Sequence, residues 1–250
     1  MSTAIILCAG SSRRFYPDGG ATRPKCLLPV AHGETLLTRL LRQTAALGHD
    51  AVLGTGLGRE QVEAAVAGRP RVRTLFNPEF ATTNSIVTLW CAREHVRDDT
   101  LIVNGDLLVD DPVLGRFGAD AVPQVLVKHL PAFDDDTYRV AFGPGRRVQR
   151  MGKDLRDPPS AQCAAFLGAS RVGNARLFLA AIEALLAEGE NQTWPTTGYR
   201  RLAGAGAEVR AVDIGDAMFF DIDTLPEYEE ARRTLERRET APGTTARAGH

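Results

Sequence analysis

Between Ala9 and Lys25 the chain gathers small and basic residues: Gly10, Ser11 and Ser12, then Arg14, then Lys25 behind Pro24. Small residues let the backbone come close to a ligand, and consecutive amides can cradle phosphate oxygens. Arginine adds a planar fork of donors and lysine a point charge. Pro24 stiffens the backbone just before Lys25. A polyphosphate would account for every part of this loop. The plain alternative is a surface loop that happens to be basic.

Such a loop needs a scaffold. Residues 4–8 form a short apolar run with β-branched content, which predicts a buried strand. In an open α/β sheet, ligands sit beyond the carboxyl ends of the strands, so the loop at 9–25 lies where one would bind. Helices are predicted at 34–47, 59–67 and 85–96, and strands at 51–53, 72–76 and 100–103. This alternation argues for a doubly wound, mostly parallel, Rossmann-like α/β sheet. The second half changes style. Short strands at 124–129, 138–142, 147–151 and 164–172 read as an antiparallel insertion within residues 110–205. A helix at 174–187, strands at 208–212 and 218–222, and a helix at 225–237 follow. No linker divides the chain, so residues 1–238 are expected to form a single domain. Residues 239–250 are expected to be a disordered tail.

Composition narrows the function classes. The 30 basic and 31 acidic residues leave a net charge of -1, which gives no general pull toward nucleic acid or an anionic membrane. Cys8, Cys26, Cys91 and Cys163 form no CxxC pair. Reduced thiols and a cytoplasmic protein are expected. No apolar run approaches bilayer length, and no leader pattern opens the sequence. Oligomeric state is not legible, and a homo-oligomer stays open.

LCAGSSRRF at 7–15, followed by RPKCLLPV at 23–30, resembles the LAAGxGxR…PKxLxPV signature of nucleotidyltransferases. These join a nucleoside triphosphate to a phosphorylated sugar or alcohol. Ser12 stands where the second glycine usually is, and Cys8 replaces an alanine. NPEF at 77–80 with TTNSIVTLW at 82–90 is similar to a segment of phosphocholine and phosphonate cytidylyltransferases. VNGD at 103–106 and FFDIDTLPEYEEA at 219–231 resemble that family's two metal-aspartate segments. The match is weakest from 110 to about 149.

The resemblance implies roles. Arg14, Lys25 and Asp106 would be catalytic. Leu7, Ala9, Gly10, Ser11, Ser12 and Asn84 would line the nucleotide site with them. Lys25 would contact the triphosphate and Arg14 the departing pyrophosphate. Asp106 and Asp223 would hold Mg2+, with Asp221 sharing the role or replacing Asp223, because both lie on one strand face. Lys153 would meet the acceptor phosphate, and Asn84 the base or acceptor. Each has a plain counterpart. NGD is a good turn, Asp223 and Asn84 could be N-caps, and Lys153 could be a surface lysine. The inserted part would bind the acceptor, with Tyr138, Phe166, Trp194 and Tyr199 as aromatic candidates. The implied reaction is Mg2+-dependent CMP transfer from CTP to a small phosphorylated or phosphonylated acceptor, with release of pyrophosphate. Guanylyl or thymidylyl transfer to a sugar 1-phosphate is the alternative.

GTGLGR at 54–59 begins like a dinucleotide fingerprint, but Arg59 takes the third glycine position and no acidic residue follows at a strand end. It reads as a strand-to-helix turn.

Overall fold

The computed structural model describes residues 2–10, 12, 14–16, 23–155 and 162–240. In chain order the elements are β1 (Thr3–Cys8), α1 (Leu36–Ala46), β2 (Asp50–Thr55), α2 (Arg59–Val66), β3 (Val72–Phe76), α3 (Ser85–Cys91), β4 (Leu101–Asn104), β5 (Leu107–Val109), β6 (Gln124–Lys128), β7 (Arg139–Phe142), β8 (Val148–Gly152), β9 (Cys163–Arg171), α4 (Ala175–Ala187), α5 (Thr196–Gly204), β10 (Arg210–Asp213), β11 (Phe219–Asp221) and α6 (Leu225–Thr240). No helix among the described residues is long and apolar enough to cross a membrane.

The main sheet runs β10-β6-β9-β4-β1-β2-β3. The β4-β1-β2-β3 half is parallel, and β10 also runs parallel to β6. β9 is antiparallel to β4 and to β6, and the β7–β8 hairpin pairs along its first residues. The sheet is therefore mixed but mostly parallel in its nucleotide half.

β1 shows why both faces must be covered. Ala4, Ile6 and Cys8 join a core under α1 and α2, while Ile5 and Leu7 join a second core under α3, α4 and α5. A strand buried on both faces reads as a continuous apolar run. Each buried Ile or Leu contributes roughly 1.5–3 kcal/mol. From β1 the chain moves to β2 and β3 on one side and returns to β4 on the other. The crevice lies at that reversal, beyond the carboxyl ends of β1 and β4.

β5 and α5 are the elements that sequence patterning misses. β5 is only LLV, squeezed between NGD and DD, and pairs antiparallel with β11 in a separate two-stranded sheet. α5 starts right after Pro195 and contains Gly198 near its start, so its apolar stripe is brief. The helix expected over 85–96 ends at Cys91, and a turn of 3-10 helix follows at Arg93–His95. The tail expected from residue 239 starts too early. α6 runs to Thr240 because Glu239 pairs with the buried Arg39 at 3.1 Å and with His32 at 2.7 Å. The rest of that tail, 241–250, lies outside the described residues.

Candidate functional site

β1 delivers Ala9 and Gly10 to the mouth of a cavity of about 370 Å³, which Leu7, Ser12, Arg14, Lys25, Asp106 and Asp223 also line. A Cβ on Gly10 would meet no protein atom within 4 Å. Ser12 is buried with φ at 53°, a conformation that favours glycine. That explains why the resembled signature carries glycine at this step. The Ser12 carbonyl accepts the amides of Phe15 and Tyr16, at 3.2 and 3.1 Å. Phe15 is buried against Tyr228 of α6. Ser11, expected in the same loop, lies outside the described residues.

Lys25 opens a single turn of 3-10 helix, Lys25–Leu27, whose Cys26 and Leu27 are buried as anchors. Its ammonium lies 2.7 Å from Asp106 Oδ2 and 2.8 Å from Asp223 Oδ1, and donates to the Ile222 carbonyl at 2.9 Å. The side chain is only 11% exposed. Burial pulls its pKa down, but the charges and hydrogen bonds of Asp106 and Asp223 outweigh burial and hold it above the usual lysine range. Lys25 is therefore a permanent cation.

The two carboxylates reach it from different elements. Asp106 follows Gly105, where a Cβ would lie 2.8 Å from both the Leu7 carbonyl and Cys8 Sγ. Only glycine lets the end of β4 press this closely on β1. The Asp106 carbonyl accepts the Ile222 amide at 3.1 Å, tying the turn to the end of β11. Asp223 is not the helix cap. Thr224 and Glu227 form a reciprocal cap on α6: the Glu227 carboxylate accepts the amides of Asp223 and Thr224, at 2.9 and 2.7 Å, and Thr224 Oγ1 accepts the Glu227 amide. The Asp223 carboxylate is left to face Lys25 and Arg14, the latter at 2.8 Å. Asp221 sits opposite Leu107 on the β5–β11 ladder and does not line the cavity.

The GTGLGR turn serves this geometry. A Cβ at Gly56 would strike the Ala9 carbonyl and Phe80, and one at Gly58 would strike Pro24. The glycines make room for the two loops that carry the site.

The opposite wall comes from the loop before α3 and the segment after α4. Asn77 is buried; its amide donates to Thr88 at 3.0 Å and its oxygen accepts the Glu79 amide at 2.9 Å. It is a structural pin that the NPEF resemblance did not single out. Thr82 and Thr83 both donate to the Glu79 carbonyl and hold the loop's own turn. Asn84 caps α3 by accepting the Ser85 amide at 2.7 Å, donates to the Gln192 carbonyl, and also lines the cavity. Phe80, Thr88, Asn104 and Gln192 complete the wall. Their types gave no signal, since loop and helix residues enter a pocket only through the fold.

The second half brings three of its four aromatic candidates together. Tyr138 meets Phe166 at 6.2 Å and Trp194 at 6.4 Å, both edge-on. Lys153 lies 5.2 Å over the Trp194 ring and pairs with Asp136 at 3.0 Å. Trp194 lines the cavity; Lys153 stands beside it, outside the lining. Tyr199 does not belong with them. It is fully buried against Phe178, 4.7 Å between rings, in the core between α4 and α5. Its place in the sequence hid this because α5 itself was missed.

No three Asp, Glu, His or Cys side chains among the described residues are gathered to hold a metal ion by themselves. Asp106 and Asp223 nevertheless converge on one cation, the Lys25 ammonium, and offer hard oxygen donors. That pair suits an ion that takes its remaining ligands from phosphates and water. The arrangement as a whole can receive polyphosphate charge on Arg14 and Lys25 beside two carboxylates at strand ends.

Comparisons with known proteins bear on the family and the fold. Over 120 residues, 46% of the chain, it is 32% identical to a CMP-5'-(3-aminopropyl)phosphonate synthase of Streptomyces rubellomurinus. That match spans 19% of the relative, and another curated relative is matched over 26% of its length. Among solved structures, a CTP:phosphocholine cytidylyltransferase from Streptococcus pneumoniae shares the fold with a TM-score of 0.77 at 17% identity, over 94% of this chain and 99% of that one. A UDP-glucose pyrophosphorylase shares it with a TM-score of 0.76 at 15% identity, over 95% and 99%. The MobA-like NTP transferase domain matches residues 4–152, more than half of the chain, and the protein belongs to that family of nucleotidyltransferases.

Proposed function

We propose that this chain transfers a cytidylyl group from CTP to a small phosphorylated or phosphonylated acceptor and releases pyrophosphate. The observation that carries the reading is the convergence of Arg14, Lys25, Asp106 and Asp223 on one cavity beneath the Gly10 loop. The acceptor oxygen attacks the α-phosphorus in line, the bond to the bridging oxygen breaks, and pyrophosphate leaves. Arg14 and Lys25 offset the charge that develops on the phosphoryl oxygens and the leaving group. An anionic acceptor carries no proton that must be removed, so no general base is required. The rate comes from holding two anions in line. Asp106 and Asp223 would hold Mg2+, with Asp221 beside them; the ion would supply further charge neutralisation at the phosphates. Lys153 and the Trp194, Tyr138 and Phe166 cluster would meet the acceptor.

The preference for CTP is supported by the likeness to a CMP-forming synthase and by the TTNSIVTLW segment. The equally good fold match to a UDP-glucose pyrophosphorylase keeps a second reading in play: transfer of another nucleotide, guanylyl or thymidylyl among them, to a sugar 1-phosphate. Thermal stabilisation by CTP, UTP, GTP, dTTP and ATP with Mg2+ separates the two, because a ligand that binds only the folded state raises Tm. The largest shift is expected with CTP. A larger shift with another base overturns the cytidylyl assignment, and no shift with any triphosphate overturns the site.

A further inference from the structure

We infer that Asp136 is a built-in competitor of the substrates, a carboxylate that bridges the donor-side cation Arg14 and the acceptor-side cation Lys153 and must be expelled when phosphates bind. This rests on the nucleotidyltransferase reading of the cavity. Asp136 Oδ1 lies 3.0 Å from Lys153 Nζ, and Oδ2 lies 3.8 Å from Arg14 Nη1. The second nitrogen of the same guanidinium is on Asp223, so Arg14 links the floor of the cavity to the 134–137 loop. That loop is braced from within: Asp134 Oδ1 accepts the Thr137 amide at 2.7 Å and its hydroxyl at 2.6 Å, and Arg139 donates to the Asp134 carbonyl at 2.9 Å. The brace leaves the Asp136 side chain 74% exposed at the apex. The hydrogen bond and charge of Lys153, then the charge of Arg14, hold its carboxyl below the usual aspartate range, so it stays ionised at neutral pH.

Arginine and lysine are the cations phosphates seek, and a carboxylate on both is their nearest internal substitute. A ligand that needs Arg14 or Lys153 binds with an affinity reduced by the fraction of time those cations are free. Exposed ion pairs are weak, so removing the carboxylate should tighten binding by about two- to fivefold. The effect should be of similar size for every ligand that uses these cations.

The test is calorimetric titration of wild-type protein, Asp136→Asn and Asp136→Ala with CTP, UTP and inorganic pyrophosphate in Mg2+ at low salt. Asparagine keeps the shape and removes the charge. Both variants are expected to bind the preferred triphosphate and pyrophosphate about two- to fivefold more tightly, with the gain shrinking as salt rises. Equal affinity in all three proteins overturns the inference, and so does weaker binding by the variants, which would make Asp136 a positioning residue for Arg14. Wild-type protein that binds none of the three probes overturns the reading of the cavity, and the inference with it. Wild-type binding with unaltered variants overturns the inference alone.

Discussion

Lys25 is the residue on which the site turns, because it holds two carboxylates that would otherwise repel each other. Its ammonium is within 2.8 Å of both Asp106 and Asp223 and is nearly buried. On the proposed function, truncating it removes a preorganised charge from the triphosphate site, an effect of about 100-fold to 1,000-fold when such a group is lost. Lys25→Ala should therefore lower kcat by at least about 100-fold while the protein stays folded by circular dichroism. The variant has a second signature. With the lysine gone, Asp106 loses its ammonium and Asp223 keeps only Arg14, and a divalent ion gains a vacated place between the two carboxylates. Mg2+ should then raise the Tm of Lys25→Ala more than that of wild type. Turnover near the wild-type rate would remove Lys25 from the chemistry. A Mg2+ response no larger than that of wild type would move the metal away from this pair. The place of Lys25 at the cavity was legible in the sequence because the proline-lysine step follows a small-residue loop with Arg14 and matches the PKxLxPV pattern. Asp136 was not, since an aspartate in a DDD run looks like solvated loop until the fold brings Lys153 and Arg14 to it.

At the scale of elements, what matters is how strand ends and helix starts hand residues to the cavity. α6 is the clearest case. A T-x-x-E box at Thr224 and Glu227 caps the helix and leaves the residue before it, Asp223, for Lys25 and Arg14. The sequence contains that box, yet an aspartate just before a helix also suggests a cap, and only the family resemblance tips Asp223 toward a metal role. Thr224→Ala should lower stability by about 1 kcal/mol, the usual cost of losing a threonine cap. The Glu227 amide would lose its acceptor, which loosens the turn whose Glu227 carboxylate holds the Asp223 and Thr224 amides, so the affinity for Mg2+ and triphosphate should fall as well. Urea unfolding and calorimetric titration of one preparation check both. A stability loss with unchanged ligand affinity would show that the cap does not position Asp223. α4 was legible because its amphipathic period holds over 13 residues, and β1 because a short, continuous apolar run ahead of small residues marks a buried strand. β5 and α5 were not. Three residues make no period, and the glycine near the start of α5 reads as a break. Tyr199 was misplaced for the same reason: without α5 on the page, a tyrosine of the second half looks available to a ligand, whereas the helix turns it into the core.

Across the whole molecule, two cores cover the faces of the main sheet and a third packs α6 against β5 and α1, and the charges that hold the outer elements set how stability responds to acid. His49 joins α1 to β2 and is half-buried, with Nδ1 buried and unbonded. Desolvation comes first among the causes that lower its pKa; the Thr3 backbone and Asp99 oppose it, and Arg171 and Arg71 assist it. Between the lowered folded value and the ordinary histidine value near 6.5, the unfolded chain binds a proton that the folded chain refuses. Stability therefore rises with pH in that window. The contribution is fully present above about pH 6.5 and is lost as pH falls through the folded value. Asp111 acts in the same direction but lower on the scale. The hydrogen bond from Arg42 leads the causes that hold its carboxyl down, so its share is lost only as pH falls below the ordinary carboxylate range. The His49 window opens at a higher pH than the Asp111 window, which lets one substitution isolate it. His49→Gln should flatten the urea midpoint between pH 7.5 and 5.5 and leave the steeper loss below pH 4 in place. An unchanged slope in the upper window would mean that His49 titrates alike folded and unfolded. A slope that vanishes in both would place the acid sensitivity of the whole fold on the α1–β2 corner rather than on the carboxylates that tie α1 to its neighbours.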